Sequence, residues 1–202
     1  MLNEAINFIV ESERLKSISR QTNPIGMSRA ENSAEHSWTV ALAASVLIPA
    51  VAPNLDQLRV IKMLLIHDLV EIDAGDTFCY ADQEGKTERE DKAAIRLFGL
   101  LAENTRKDFY SLWREFEEAS TEESKLANAI DRILPLIQNY HNGGGSWIKH
   151  NISFDQVYQR NQRINEGSSD LWEYAEKIIL VARSKNMFPE NQNAEQGAAP
   201  NP

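Results

Sequence analysis

The sequence predicts an all-α domain, and three observations carry that prediction. Apolar residues recur at helical spacing in nearly every segment of the 202 residues. No run of alternating β-branched residues is long enough to build a sheet, although ordinary domains contain some strand. The stretches between periodic segments are rich in Gly, Pro, Asn and Asp, which end helices and make turns.

The elements follow in order. Ile6, Phe8, Ile9, Leu15 and Ile18 suggest a first helix over about 2–18. QTNPIGMSRAEN then reads as a loop. Asn32 with Glu35 three residues on resembles a capping box, which starts a helix over about 33–50 that ends before Pro53. Leu58, Ile61, Leu64, Leu65, Leu69 and Ile72 are spaced as the buried face of a helix over about 55–72. GDTFCYADQEGK is a polar loop with two glycines. Further helices are expected at roughly 87–103, 105–118, 122–140, 153–165 and 169–185, so the bundle holds roughly 7–9 helices. The chain reads as one domain over 1–187, with a polar tail over 188–202 expected to be disordered.

Composition bounds the function. At 42% hydrophobic the chain is long enough for one sizeable core. A formal charge of −9 argues against broad nucleic-acid binding, which needs basic patches. It does not exclude a small anionic substrate held by a few local positive groups or a metal. Cys79 is the sole cysteine, so no intrachain disulfide forms. The N-terminus lacks the basic start and apolar run of a signal peptide, and the apolar run from Val40 to Ala52 is too short to span a bilayer. A soluble cytoplasmic protein is expected, without membrane or nucleic-acid partners.

Four residues stand out chemically. His67 and Asp68 are adjacent in an apolar helical stretch, where buried polar groups need partners. Helix geometry sets neighbouring side chains about 100° apart, so both are expected to grip one ion at the edge of a buried face. His36 lies early in another apolar helix, and Asp131 interrupts the apolar stripe LANAIDRILPLI. Any one of these alone is better explained as a hydrogen-bonded core side chain or helix cap. Together, two imidazoles and two carboxylates from three helices form a borderline N/O donor set that suits Mn, Fe, Co, Ni or Zn better than Ca or Mg. Glu71 and Asp76, read alone, are a helix acid and a turn residue. Arg20 alone is a charge after a helix. His141 and His150 read as a helix-end residue and a surface residue, and Cys79 as a bystander. The tryptophans 38, 113, 147 and 172 read as core or interface.

The pattern His36, His67-Asp68 and Asp131 resembles the H…HD…D signature of the HD-domain phosphohydrolases. The contexts RLKSISRQTNPIGMSRAENSAEHSW, LLIHDLVEIDAGD and AIDRILPLIQNYHNGGGSW are similar to its 5'-deoxynucleotidase branch, the YfbR-like and oxetanocin-protein-like group. The resemblance covers roughly residues 1–187. It implies an all-helical HD fold, one divalent metal held by His36, His67, Asp68 and Asp131, a homodimer, and hydrolysis of nucleoside 5'-monophosphates. By the same resemblance, Glu71 manages the attacking water, Asp76 is a further site carboxylate, and Arg20 contacts the substrate phosphate. The chain departs from the pattern at Gln21, where relatives that prefer deoxyribose carry tryptophan. A bulky ring excludes a 2'-hydroxyl by shape, whereas glutamine can hydrogen-bond one, so weaker sugar discrimination is expected. Other phosphomonoesters or phosphodiester nucleotides as substrate, and a purely structural metal, are the alternatives.

Overall fold

The computed structural model describes residues 1–189 and is built from helices. They are α1 (Leu2–Ser12), α2 (Ser33–Val51), α3 (Gln57–Ile66), α4 (Glu71–Ala74), α5 (Lys86–Phe98), α6 (Glu103–Glu118), α7 (Glu122–His141), α8 (Gly145–Lys149), α9 (Phe154–Asn161) and α10 (Ser169–Ser184). Three 3-10 turns extend them, Glu13–Ser17, His67–Val70 and Gln162–Glu166. Among the described residues the sole β pairing is one antiparallel bridge between Ser19 and Asn32. The all-α expectation holds, with more helical pieces than expected. The helix expected over 55–72 is divided at His67. The short α8 forms within the glycine-rich turn after α7.

Local chemistry explains the starts. Asn32 and Glu35 make both halves of the capping box, Glu35 N–H to Asn32 Oδ1 at 2.9 Å and Asn32 N–H to Glu35 Oε2 at 3.2 Å. Thr121 with Ser124 and Ser153 with Gln156 do the same for α7 and α9. Gly144 shows why the turn after α7 is glycine-rich. It sits at φ +104°, and a Cβ there would lie 2.4 Å from the Met187 carbonyl oxygen.

The core is one cluster with α7 at its centre, packed on α2, α3, α6 and α10. Val40, Ala44 and Ile48 of α2 and Val60, Met63 and Leu64 of α3 are fully buried against Leu126 and Ile130 of α7. Each large aliphatic side chain so buried contributes roughly 1.5–3 kcal/mol. Two expected faces are only partly inward. Leu58 and Leu65 of α3 and Ile6 and Ile9 of α1 are exposed, while Phe8, Leu64, Leu69 and Ile72 are buried. The packed chain reaches Phe188, whose ring stacks on Trp147 at 4.9 Å, so this residue belongs to the fold and not to a tail. The remainder of the expected tail, 190–202, lies outside the described residues.

Glu90 of α5 is a buried acid with a measurable consequence. Its Oε1 lies 3.5 Å from the Lys86 ammonium. Burial and the Glu117 and Asp68 charges nevertheless outweigh that partner and push its pKa up to about 7. A carboxyl whose folded pKa exceeds its unfolded value takes up a proton on folding. Its contribution is therefore present at low pH and lost as pH rises from about 4.5 through 7. Glu90→Gln is expected to raise Tm by a few degrees at pH 8, from about 1–2 kcal/mol, and by little at pH 4.5. Thermal melts at the two pH values check it; an equal shift at both contradicts it.

Candidate active site

Three segments converge at one end of α7. His36 occupies the first turn of α2, its N–H bonded to the Asn32 carbonyl at 3.0 Å, and its side chain is fully buried. His67 and Asp68 open the 3-10 turn between α3 and α4. Asp131 projects from the middle of α7. The 3-10 turn corrects the α-helical geometry expected for the His-Asp pair. In a 3-10 turn residues three apart eclipse, so Glu71 stands in register with Asp68 and not, as an α-helix would have it, with His67. The charge of Asp68 is accordingly the largest electrostatic influence on Glu71.

The donor atoms are aimed at one point. His36 Nε2 lies 2.8 Å from Asp131 Oδ1, and His67 Nε2 lies 3.4 Å from the same oxygen and 3.1 Å from Asp68 Oδ1. One ligand atom from each of His36, His67 and Asp68 falls within 4.8 Å of the others. His67 Nδ1 is engaged by the Leu64 carbonyl at 2.8 Å, which makes it the donor nitrogen and leaves the lone pair on Nε2. That buried Nε2 has no hydrogen-bond partner among the described residues. An unpartnered imidazole nitrogen beside two carboxylates is what a divalent cation satisfies, so the residues fit the ion. Without an ion the protein meets the demand with a proton. Burial works against charging His67, but Asp68 and Asp131 outweigh it and push its pKa up to about 9. Burial likewise presses the Asp131 pKa upward, yet the bond from His36 and the neighbouring His67 imidazole hold it well below its ordinary value.

A second tier surrounds these four. Ser33 Oγ donates to Glu71 Oε2 at 2.6 Å. Gly75, at φ +76°, ends α4, and Asp76 follows within hydrogen-bonding reach of Glu71. Burial first, then the Asp68 charge, raise the pKa of both Glu71 and Asp76 against the pull of Arg20. Arg20 donates to Asp68 Oδ2 at 2.8 Å. Burial opposes its charge, but Asp68, Glu71, Asp131 and Asp76 outweigh burial and raise its pKa, so it stays protonated.

Glu31 is the residue that sequence reasoning missed. It is 2% exposed, lies 3.4 Å from His36 Nδ1 and 3.6 Å from Arg20 Nε, and accepts a bond from Gln138 Nε2 at 2.7 Å. Its carboxylate stands behind the His36 ring without a hydrogen bond to it, where its charge favours a proton on the facing nitrogen. It reaches that place because the 18–33 loop folds back on itself, with Arg20 N–H to Glu31 O and Glu31 N–H to Thr22 O, both at 2.9 Å. A single sequence offers no signal for this, since an acid among turn formers has no periodicity. His150 also departs from expectation. It is half-buried, with its ring 4.6 Å from that of Phe78.

Above the convergent residues opens a cavity of about 360 Å3, lined at this end by Arg20, Gln21, Asp68, Glu71, Asp76 and Asp131. That is within the range of small-ligand sites. The acids around the donor set outnumber its one arginine, which favours a cation inside and a neutralised anion above it.

Comparison with known proteins agrees with this geometry. The profile of the HD domain matches residues 12–172. The 5'-deoxynucleotidase HDDC2 of Danio rerio is 34% identical over 111 residues, 54% of this chain and 54% of that protein. The chain thus spans about half the length of the curated relatives it matches. A crystal structure described as a predicted metal-dependent phosphohydrolase from Magnetospirillum magnetotacticum MS-1 superposes with a TM-score of 0.89 at 42% identity, covering 93% of this chain and 95% of that one. The PH0347 protein of Pyrococcus horikoshii OT3 superposes with a TM-score of 0.64 at 26% identity, over 89% of this chain and 99% of its own. The profile match spans His36, the His67-Asp68 pair and Asp131 together on an all-helical frame, and the chain belongs to the HD-domain family.

Proposed function

We propose that the protein is a metal-dependent phosphomonoesterase that converts nucleoside 5'-monophosphates to nucleoside and phosphate. One observation carries the reading: two imidazoles converge on two carboxylates that line a nucleotide-sized cavity, with His67 Nε2 lacking a hydrogen-bond partner. Relatives named 5'-deoxynucleotidase and metal-dependent phosphohydrolase support it. His36, His67, Asp68 and Asp131 would hold one divalent ion, of Mn, Co, Fe, Ni or Zn by their mixed N/O chemistry. Such an ion supplies polarisation of the phosphoryl group and acidifies water.

The chain's own residues do the rest. Arg20, pinned by Asp68 and Glu31, offers its guanidinium fork to a phosphoryl oxygen. Glu71 and Asp76 are close enough to share a proton, which their raised pKa values favour. This pair takes the proton of the attacking water and returns one to the leaving oxygen. Water adds to phosphorus, the P–O5' bond breaks with its electron pair on O5', and that oxygen is protonated. Gln21 lines the cavity beside Arg20. Because glutamine accepts a 2'-hydroxyl, kcat/KM for dNMP and NMP is expected to agree within about tenfold, one hydrogen bond's worth. A larger deoxy preference contradicts this role.

Phosphate release from dNMPs, NMPs, sugar phosphates and phosphodiester nucleotides tests the reading, with Mn2+, Co2+ or Zn2+ added to metal-free protein and Asp68→Ala beside it. Metal-dependent release from 5'-monophosphates that Asp68→Ala abolishes supports it. Release from the other esters alone replaces the substrate.

We also propose a cytoplasmic homodimer. α2 is long and apolar enough to cross a membrane by composition. It nevertheless carries buried His36 in its first turn and packs on α3 and α7, so we read it as a core helix. Its outer face presents Trp38, Leu42 and Val46 at spacing four, an exposed apolar stripe that a second copy would cover. Sedimentation at micromolar concentration is expected to return twice the monomer mass; the monomer mass refutes the dimer.

A further inference from the structure

The cavity has a second positive locus that the reaction does not use. Arg132 of α7, Arg160 of α9 and Arg163 of the following 3-10 turn all line it. Arg132 and Arg163 also line the small recess that adjoins it beside Asn128. Among the described residues neither Arg132 nor Arg160 has a carboxylate within 4.0 Å, and Arg163 has only Glu166, at 3.3 Å. Elsewhere in the molecule arginines such as Arg29, Arg59 and Arg96 are held by carboxylates. The Arg160 guanidinium instead lies over the Tyr80 ring at 5.7 Å.

These charges work against one another. All three guanidinium groups line one cavity, and like charges gathered there repel. An acidic protein of net charge −9 has carboxylates to spare, yet among the described residues only Glu166 pairs with this group, at Arg163. Arg163 is exposed, but Arg132 and Arg160 are half-buried. Half-buried guanidinium groups without carboxylate partners are unfavourable, and an anion with several oxygens relieves them.

The locus is separate from Arg20. Arg20 is paired with Asp68 at 2.8 Å and lies 3.6 Å from Glu31, whereas Arg132 and Arg163 line the recess beside Asn128, whose lining does not include Arg20. In a nucleoside 5'-monophosphate the one phosphate is taken at the Arg20 end, and the sugar and base are neutral. Reading a guanine edge would use one bidentate arginine, not three.

We infer that Arg132, Arg160 and Arg163 seat a second phosphoryl group, so that the preferred substrate is a nucleoside bisphosphate, hydrolysed at its 5'-phosphate while the other is retained. The inference rests on the phosphomonoesterase reading above.

Binding decides it independently of turnover. Adenosine 3',5'-bisphosphate and adenosine 5'-monophosphate are titrated calorimetrically, at one fixed ionic strength, into the full metal-loaded chain carrying Glu71→Gln to hold back hydrolysis. The bisphosphate is expected to bind at least tenfold more tightly. Adding Arg160→Gln and Arg163→Gln is expected to cut that ratio below threefold. Equal affinities, or a preference that survives the double substitution, overturn the inference. Phosphate release from the monophosphate by the unaltered protein reports separately on the underlying reading. Release without a bisphosphate preference leaves that reading standing and removes this one.

Discussion

Replacing Asp131 by alanine is expected to abolish both divalent-metal binding and phosphate release, with activity falling on the order of 10³-fold or more. Asp131 Oδ1 is the atom common to the site, 2.8 Å from His36 Nε2 and 3.4 Å from His67 Nε2. Its carboxylate is also held ionised, by the His36 bond and by the His67 imidazole beside it. Without it the two rings, whose centroids lie 5.6 Å apart, keep Asp68 as the one carboxylate of the donor set. Metal content by mass spectrometry and phosphate release check the two losses together. The helical circular dichroism signal is expected to persist, since Asp131 is half-buried at the rim of a core built from Leu126, Ile130 and Ile133. Full metal loading in Asp131→Ala would contradict its place in the set.

Glu71→Gln is expected to separate chemistry from binding. Gln accepts the Ser33 hydroxyl as Glu71 does, at nearly the same volume, and resembles the protonated acid that burial and the Asp68 charge favour. Metal content is therefore expected to be unchanged. The loss falls on kcat, by about 10² to 10⁴, the usual worth of a positioned proton-transfer group. A variant that keeps its kcat would show that Glu71 handles no proton, and Asp76 would inherit the role.

Much of this was legible in the sequence because it is written locally. The Asn32–Glu35 capping box starts α2 where expected, and that start places His36. The apolar stripe around Asp131 marked α7. The break at His67 was not legible, because spacings of three and four fit an α-helix and a 3-10 turn equally. Leu58 and Leu65 share the spacing of a buried face, yet they are exposed, because the neighbours that decide burial come from other segments. Glu31 and the Arg132–Arg160 group share the same cause. Their meaning comes from contacts across distant stretches, Glu31 with Gln138 and Arg160 with Tyr80, which no local pattern encodes.

The central claim is that His36, His67, Asp68 and Asp131 form a catalytic metal centre. Titrating metal-free protein with Co2+ while following its visible spectrum and phosphate release from a nucleoside 5'-monophosphate tests it most directly. One equivalent is expected to saturate the spectrum and activity together. Protons are expected to leave as the ion binds, because His67, whose pKa stands at about 9, must give one up. Saturation of the spectrum with no release of phosphate from any ester would make the ion structural and contradict the account.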